Sequence, residues 1–236
     1  MSSRQEEKER RRKERQEREQ AEAKRAARRK RMTLAFGGLL GVALIAGIVV
    51  VVLVLGGGGD ASSEPKNASD AAANVKLPPQ ATSDMAAAAK AAGCTLSNPA
   101  YEGASHEDKK FKPSDYKTNP PTSGNHTPDW YEDGIYAAGD TPDLGKTVHP
   151  LEHGRIEVQY APGTPKETIT QLEALLGEEQ DGYHMLLFQN DTGMKAKIAA
   201  TAWTHSLTCP EMNDKVFDAI RTFRARYIDK GPERVP

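Results

Sequence analysis

The fold is decided by residues 156–189, which read IEVQYAPGTPKETITQLEALLGEEQDGYHMLLFQ. The first five residues alternate between apolar and polar side chains, which predicts a half-buried β-strand. Residues 164–167, Thr-Pro-Lys-Glu, have the pattern of a capping box with proline at the first helical position, so a helix is predicted to follow. The apolar face of that helix consists of Ile169, Leu172, Leu175 and Leu176. Gly177 is expected to end the helix.

Two more strands and a helix are predicted after this unit. The strands cover residues 183–189 and 196–203, and the sequence Asn-Asp-Thr-Gly at 190–193 between them favours a hairpin turn. A last helix is predicted from about Pro210 to Tyr227, with a buried face of Met212, Val216, Ile220 and Phe223. The order strand, helix, strand, strand, helix predicts an α+β fold in which helices pack against a small mixed sheet. It also resembles the later half of a thioredoxin-like fold, but without a C-x-x-C pair this likeness implies no redox chemistry.

The first half of the folded region is predicted to contain long ordered loops. Ser83 is expected to cap an alanine-rich helix that ends at Gly93. Residues 94–154 then carry seven of the 15 prolines and show little apolar periodicity. Loops of this length within a compact domain are often functional. The folded domain is therefore assigned to residues 83–236.

A transmembrane helix is predicted before this domain. The run that begins at Thr33 and ends at Leu55 contains no charged residue. As a helix it would be about 34 Å long, enough to cross a hydrocarbon core of about 30 Å. A cleaved signal peptide is the alternative, but its apolar region would have only about 7–15 residues. An uncleaved anchor is therefore the preferred interpretation.

The orientation of this anchor follows from residues 1–32, which include 14 Lys or Arg and seven Glu. By the positive-inside rule the N-terminus is expected in the cytoplasm and the C-terminal domain outside the plasma membrane. This arm is predicted to be a charged helix of coiled-coil-like composition, although apolar heptad positions are absent. The basic residues expected to lie near anionic lipid are Lys24, Arg25, Arg28, Arg29, Lys30 and Arg31. No nucleic-acid partner is expected.

The apolar run and the residues that follow it carry two further signals. Gly37 and Gly41 form a small-xxx-small pair that would let two helices approach closely, so a homodimer is an additional hypothesis from a short motif. Residues 56–82 are rich in Gly, Ala, Ser and Pro and lack apolar periodicity, which predicts a flexible linker.

Histidines in the predicted loops indicate a metal site. Three of the six histidines, His126, His149 and His153, lie among prolines and glycines that favour turns. His106 precedes them in the same region, and Glu152 lies between the last two. Imidazole and carboxylate groups ligate copper and zinc, so these five residues are the candidate ligands.

Other residues in the domain have weaker assignments. Tyr136 is a further candidate to assist the ligands. Met185 and Met194 have soft thioether sulfurs, but they are expected to fill gaps in the core. His184 and His205 are expected to be structural.

Residues 149–153 match the H-x-x-E-H pattern of a class of zinc proteases, in which a helix places both histidines on one face. Pro150 disfavours helix at His149, and a strand follows soon after Gly154, so this run is expected not to form that helix. In one extended strand the two histidines would lie about 13 Å apart, too far to bind one ion. A local turn at Pro150 would bring them together.

Three functions fit these residues. The preferred one is binding of copper or zinc rather than turnover of a substrate. The alternative is a scaffold or interaction module that binds a protein of the cell envelope, with histidines that hydrogen-bond the loops. The third is a hydrolase in which Ser123 is activated by His126 or His153, but no G-x-S-x-G elbow surrounds this serine. The acids that could orient such a base are Asp129, Asp133 and Glu152.

The two cysteines, Cys94 and Cys209, are both in the exported part. In an oxidising compartment such a pair most simply forms a disulfide. Closing a loop of 115 residues (209 − 94) would contribute roughly 4–5 kcal/mol to stability in the chain-entropy model. Two free thiols or two soft metal ligands are the alternatives.

Five spaced motifs resemble the domain of unknown function 3105 family. They are Ala-Ala-Gly-Cys at 91–94, Pro-Pro-Thr-Ser-Gly-Asn-His at 120–126, His-Pro-Leu-Glu-His-Gly at 149–154, Thr-Ala-Trp at 201–203 with Cys209, and Gly-Pro-Glu at 231–233. The resemblance covers about residues 87–233 and implies a bacterial exported domain behind one membrane anchor, without an established activity. It marks as motif residues His126, His149, Glu152, His153 and both cysteines.

Overall fold

A mixed six-stranded β-sheet forms the centre of the structure, a computed structural model that describes residues 65–66, 68–139, 142–178 and 182–233. The strands are β1 (Thr95–Ser97), β2 (Gly134–Ile135), β3 (Ile156–Tyr160), β4 (Met185–Gln189), β5 (Ile198–Ala202) and β6 (His205–Cys209). The α-helices are α1 (Asp70–Ala73), α2 (Met85–Ala92), α3 (Leu144–Glu152), α4 (Lys166–Gly177) and α5 (Lys215–Tyr227). This architecture confirms the predicted α+β fold with helices and a small mixed sheet.

Strand β3 lies in the interior of the sheet, whose order is β1-β6-β5-β3-β4-β2. It pairs in parallel with β4 and antiparallel with β5. All five of its residues are buried, so the prediction of a half-buried strand is wrong. Its apolar face belongs to the main core, through Ile156, Val158 and Tyr160. Because side chains alternate along a strand, the polar Glu157 and Gln159 point to the opposite face and are buried there.

Hydrogen bonds link the buried polar side chains of β3 to one another and to the chain after β4. The Gln159 amide donates to the Glu157 carboxylate at 2.9 Å, and the Asn190 amide donates to the Gln159 carbonyl oxygen at 2.7 Å. Burial raises the pKa of Glu157 well above its usual range. Asn190 therefore anchors the end of β4 to β3 rather than forming a hairpin turn.

The predicted hairpin across residues 190–193 is wrong because the strands on either side of it do not pair. Strand β3 lies between β4 and β5, since the β3-α4-β4 unit forms a parallel pair and β5 occupies the other side of β3. The observed hairpin joins β5 to β6 around Trp203 and Thr204, where Thr204 has a φ of 61°. Strand β6 has no counterpart among the predicted strands, because its polar residues His205, Ser206 and Thr208 leave little apolar pattern.

The predicted apolar faces of the two long helices are confirmed except at Ile169 and Met212, which are only partly buried, and the last helix begins at Lys215 rather than near Pro210. The buried side chains are Leu172, Leu175 and Leu176 in α4, and Val216, Ile220 and Phe223 in α5. The capping box expected before α4 does not form. Pro165 is the N-cap and makes no side-chain capping bond, and the Thr164 hydroxyl donates to the carbonyl of Ala161 at 2.6 Å.

Helix α2 ends as predicted but begins differently. Gly93 follows its last turn in the left-handed conformation, with φ of 71°. The N-cap is Asp84 rather than Ser83, and its carboxylate accepts a hydrogen bond from the N–H of Ala87. The N-cap is therefore the carboxylate of Asp84 instead of the predicted hydroxyl of Ser83.

Helix α3 spans residues predicted to be loop, and it contains Pro150. Pro150 has no N–H to donate to the carbonyl of Lys146, one turn earlier. The N–H of Tyr131 donates to that carbonyl instead, at 3.3 Å. The prediction that Pro150 excludes helix at His149 is therefore wrong, because a neighbouring segment replaces the lost hydrogen bond.

Cys94 and Cys209 form a disulfide, as predicted. Cys94 precedes β1 and Cys209 ends β6, so the bond lies beside the antiparallel pairing of these two strands. Met185 and Met194 are buried, as expected for core residues.

Part of the predicted linker packs against the domain. The Ser69 hydroxyl donates to Glu173 of α4 at 2.6 Å, and Arg221 of α5 donates to the carbonyl of Pro78 at 2.9 Å. The folded region therefore begins before Ser83. The predicted charged helix (1–32), the predicted transmembrane helix (33–55) and the first part of the linker lie outside the described residues. Among the helices that the structure describes, none has the length and apolar character needed to cross a membrane.

The segment after α5 packs against the end of α3. The N–H of Asp229 donates to the carbonyl of Gly154 at 2.9 Å, and the N–H of Glu233 donates to the carbonyl of Glu152 at 3.1 Å. Between them, Gly231 has no space for a side chain, because a Cβ there would overlap the Glu152 carbonyl oxygen. This C-terminal segment therefore fixes the backbone that carries Glu152.

Replacement of Gly231 by Ala is expected to lower the free energy of unfolding by about 1–3 kcal/mol, because backbone atoms must move to admit the methyl group. The matched control is Gly177→Ala, where a Cβ would meet nothing closer than Ala68 at 3.9 Å. That change is expected to be neutral or to stabilise by up to about 1 kcal/mol, since alanine favours helix. Urea unfolding followed by tryptophan fluorescence measures both. Equal stability of the two variants would contradict the packing described for Gly231.

Candidate metal centre

Four side chains place their ligand atoms within 4.8 Å of one another, namely those of His106, His126, His149 and Glu152. They come from separate parts of the chain. His106 and His126 lie in two loop segments, and His149 and Glu152 lie on α3. Four of the five residues predicted as ligands therefore converge in space.

Backbone pairing and helix geometry bring these residues together. The segments of His106 and His126 form a parallel bridge, in which the His126 N–H donates to Ser105 and the Glu107 N–H donates to the His126 carbonyl, at 3.1 and 2.8 Å. His149 and Glu152 are three residues apart on α3, so their side chains lie on one face of the helix. The cluster therefore forms only because α3 continues through Pro150 to Glu152.

Hydrogen bonds to carbonyl oxygens orient the two buried imidazoles. Nδ1 of His126 is 2.8 Å from the oxygen of Gly124, and Nδ1 of His149 is 2.9 Å from the oxygen of Thr127. A carbonyl oxygen only accepts, so we assign the ring proton to Nδ1 in both residues. Nε2 of each ring then carries a lone pair. This is the tautomer and outer hydrogen bond that metal-ligating histidines use.

Burial keeps both rings neutral. His126 is 0% exposed and His149 is 3% exposed. Removal from water is the main cause that lowers the pKa of each imidazole below its ordinary value, and each is further lowered by neighbouring histidines. A neutral imidazole is the form that binds a metal ion.

His126 and Glu152 form the most unusual contact of the cluster. Nε2 of His126 is 3.1 Å from Oε2 of Glu152, yet both atoms are buried and neither makes a hydrogen bond within the described part of the chain. With the proton on Nδ1, a lone pair faces a carboxylate oxygen across this gap. Two such atoms repel unless a proton or a metal ion lies between them.

A proton on Glu152 is one way to relieve this repulsion. Burial raises the pKa of Glu152, and the nearby carboxylate of Glu233 raises it further. A metal ion is the other way, since it would bind both atoms at once. In a tetrahedral zinc site with bonds of about 2.1 Å, ligand atoms lie about 3.4 Å apart, so small side-chain movements would close the cluster on an ion.

His153 lies beside this cluster but outside it. Its ring is 4.5 Å from the ring of His149 between centroids, and its Nε2 is 3.6 Å from Oε2 of Glu233. The two histidines are thus adjacent on a helical turn, not about 13 Å apart as in an extended strand. Residues 149–152 of the H-x-x-E-H run lie on α3 and His153 is its C-cap, but here the glutamate belongs to the four-residue cluster and the second histidine does not. This differs from the zinc-protease arrangement, in which both histidines bind the ion.

The structure places the other candidates elsewhere. Tyr136 is buried and its hydroxyl donates to the carbonyl of Glu132 at 2.7 Å. Ser123 is fully buried and accepts a hydrogen bond from the N–H of Glu102 at 3.1 Å, a geometry that does not support attack on a substrate.

Three more side chains from the sequence hypotheses have structural contacts. His184 pairs with Asp229 at 2.5 Å, and His205 pairs with Asn98 at 2.6 Å. Asp133 binds Arg155 at 3.0 Å and so is not available to orient a base.

Both tryptophans of the protein flank the cluster, which the sequence did not predict. Trp130 lies 5.1 Å from His149 and 5.2 Å from His153, and Trp203 lies 6.3 Å from His126, between ring centroids. Trp203 belongs to the β5–β6 hairpin, so the wrong pairing predicted for β5 hid its position. Trp130 occurs four residues after His126 in a loop, where no periodic signal indicates its direction.

The fold and the site together define a class of protein, an α+β domain with a buried cluster of histidine and glutamate. A model of the family described as "Protein of unknown function (DUF3105)" matches residues 107–235, more than half of the chain. The chain belongs to this family. The match includes His126, His149, Glu152, His153 and Glu233, and begins one residue after His106. No curated protein and no solved structure matches the chain.

Replacement of His153 by Gln is expected to change how stability depends on pH in the metal-free protein. Burial, together with His149 and Arg155, lowers the pKa of His153 from 6.5 to about 4. Between these values the unfolded chain binds one more proton at this residue than the folded chain. The free energy of unfolding of the wild type therefore falls as the pH drops from about 6.5 towards 4, by at most about 1.4 kcal/mol per pH unit.

Urea unfolding with a chelator present, at several pH values, measures the difference in free energy of unfolding between wild type and His153→Gln. As the pH falls through this window, the wild type should lose stability relative to His153→Gln. Parallel curves for the two proteins would contradict the assigned burial of a neutral His153.

Proposed function

We propose that this protein is a membrane-anchored metal-binding protein whose exported domain holds one copper or zinc ion. The ligands are His106, His126, His149 and Glu152. The observation that carries the proposal is the contact between Nε2 of His126 and Oε2 of Glu152, which are buried, 3.1 Å apart and without a hydrogen bond. An ion between them replaces a repulsion with two bonds.

The donor set selects the kind of ion. Three imidazole nitrogens and one carboxylate oxygen suit Zn²⁺ and Cu²⁺, whereas Cu⁺ prefers thiolate and thioether ligands. The soft donors of the described domain are engaged elsewhere, because Cys94 and Cys209 form the disulfide, Met185 and Met194 are buried, and Met85 and Met212 pack against the main core. Between the two divalent ions, Cu²⁺ binds such sites more tightly at equilibrium.

The location outside the cytoplasm rests on the sequence and on the disulfide. The apolar run from Thr33 to Leu55 follows an arm with 14 basic and seven acidic residues, which favours a cytoplasmic N-terminus. A disulfide such as Cys94–Cys209 persists in oxidising compartments. Both observations support export of the domain.

Replacement of Glu152 by Gln is the sharpest test of the metal site. The change keeps the side-chain volume, and the new amide N–H can donate a hydrogen bond to Nε2 of His126. The variant is therefore expected to lose the metal ion while its metal-free form is as stable as the wild type or more stable by about 1–3 kcal/mol. The matched control is His153→Gln, the adjacent residue outside the donor set, which is expected to retain the ion.

Elemental analysis of the purified full-length chain gives the occupancy, expected near one Cu²⁺ or Zn²⁺ per wild-type chain. Cu²⁺ should also quench the fluorescence of Trp130 and Trp203, and the melting temperature should rise with metal concentration. A wild type that stays metal-free, with the same melting temperature in Cu²⁺ and Zn²⁺, would refute the site. Loss of stability in both variants without any ion would favour the scaffold or interaction module.

Reporter fusions test the proposed topology. Alkaline phosphatase fused after Pro236 is expected to be active, because it folds only outside the cytoplasm, whereas the same enzyme fused after Met32 is expected to be inactive. Neutral replacement of the six basic residues in 24–31 should lower the activity of the first fusion, since the charge bias sets the orientation. Activity of the fusion after Met32 would contradict a cytoplasmic N-terminus.

A further inference from the structure

The four ligands of the cluster differ in their access to solvent. His126, His149 and Glu152 are buried, with exposures of 0, 3 and 5%. The His106 side chain, in contrast, is 42% exposed. One side of the cluster therefore opens to solvent, and His106 occupies that side.

The fold fixes the three buried ligands independently of His106. The Nδ1 groups of His126 and His149 are bound to the oxygens of Gly124 and Thr127. Glu152 lies on α3, where its carbonyl accepts from the C-terminal segment. These contacts remain when the side chain of His106 is removed.

The side chain of His106 contacts the cluster itself. Its Nε2 is 3.7 Å from Oε2 of Glu152, and its ring stacks on that of His149 at 4.6 Å with an interplanar angle of 25°. Exposed side chains change rotamer within nanoseconds or faster, so His106 can leave its position without movement of the core. The space that it would vacate has the size and shape of an imidazole.

We infer that His106 is an exchangeable ligand and that the bound ion offers one coordination position to a small monodentate donor from solvent. The inference rests on the proposed function and gives the site its ligand class, a neutral nitrogen donor or a small anion. Structural zinc sites are closed by four protein ligands, whereas reactive sites keep three protein ligands and one open position. Departure of the exposed His106 from the three buried ligands would give the second arrangement.

Aromatic side chains lie close to the cluster. Trp130 is 41% exposed and its ring lies 5.1 Å from that of His149. Trp203 lies 6.3 Å from His126, and its ring is 6.1 Å from the exposed ring of Tyr101. Imidazole and azide are small donors that could replace a single histidine ligand, so they are suitable probes.

The test compares the full-length chain with His106→Ala, Glu152→Gln and His205→Ala after loading with Cu²⁺. The His106→Ala protein is expected to keep about one Cu²⁺ per chain, and Glu152→Gln to keep none. Titration with imidazole, followed by electron paramagnetic resonance, should give a saturable change in His106→Ala at a lower concentration than in the wild type. Azide should produce a charge-transfer absorption band in His106→Ala. His205→Ala, a histidine change outside the cluster, should behave as the wild type.

Two results would overturn the inference while leaving the proposed function in place. One is loss of Cu²⁺ from His106→Ala as complete as from Glu152→Gln, which would make His106 an essential fourth ligand. The other is a loaded His106→Ala protein whose spectra respond to neither imidazole nor azide. Failure of the wild type to bind any Cu²⁺ or Zn²⁺ would instead refute the proposed function.

Discussion

The burial of the Glu152 carboxylate among imidazoles is the constraint on which the rest of the site depends. Removal of an ionised carboxylate from water costs several kcal/mol unless hydrogen bonds or a counter-charge compensate. Here the nearest polar atom, Nε2 of His126, has its lone pair directed at the same gap. The fold must therefore hold both groups against their repulsion, or supply the proton or cation that removes it.

Several features of the fold hold these groups in place. Tyr131 satisfies the carbonyl that Pro150 leaves free, which allows α3 to continue to Glu152. The C-terminal segment then binds the carbonyl of Glu152, and Gly231 permits the close approach. Each contact lies on the backbone, so the position of the carboxylate does not depend on its own protonation. A site fixed in this way would be preorganised for the ion of the proposed function.

The sequence predicted the parts of this structure that depend on local pattern. The helix faces of α4 and α5 were correct because their apolar residues recur with helical spacing and pack on the sheet. The disulfide was correct because only two cysteines are present. His106, His126, His149 and Glu152 were grouped as candidate ligands by residue type, and they do lie together, but their binding of a metal ion stays a prediction.

The remaining errors concern interactions between distant segments. The turn signal at residues 190–193 was local, but β3 lies between β4 and β5 in the sheet. Residues far from the turn determine this strand order. Pro150 was expected to stop a helix, and the compensating N–H of Tyr131 is 19 residues away. His153 was grouped with His149 by spacing, but it lies outside the four-residue cluster and its Nε2 is 3.6 Å from Oε2 of Glu233 in the C-terminal segment. No local pattern encodes these pairings.

The extended core and the disulfide of the domain indicate that an ion bound at the proposed site would serve reactivity or exchange rather than folding. Small domains that need zinc to fold lack a sufficient core and are unfolded without the metal. This domain has a continuous core that spans β3, β4, β5, α4 and α5, and a disulfide that closes most of the domain. The four residues of the cluster are also not members of the main core. An ion bound there would add little to the stability that the core already supplies. The chemistry at the solvent-exposed side of the cluster is therefore the more direct reason for an ion to bind.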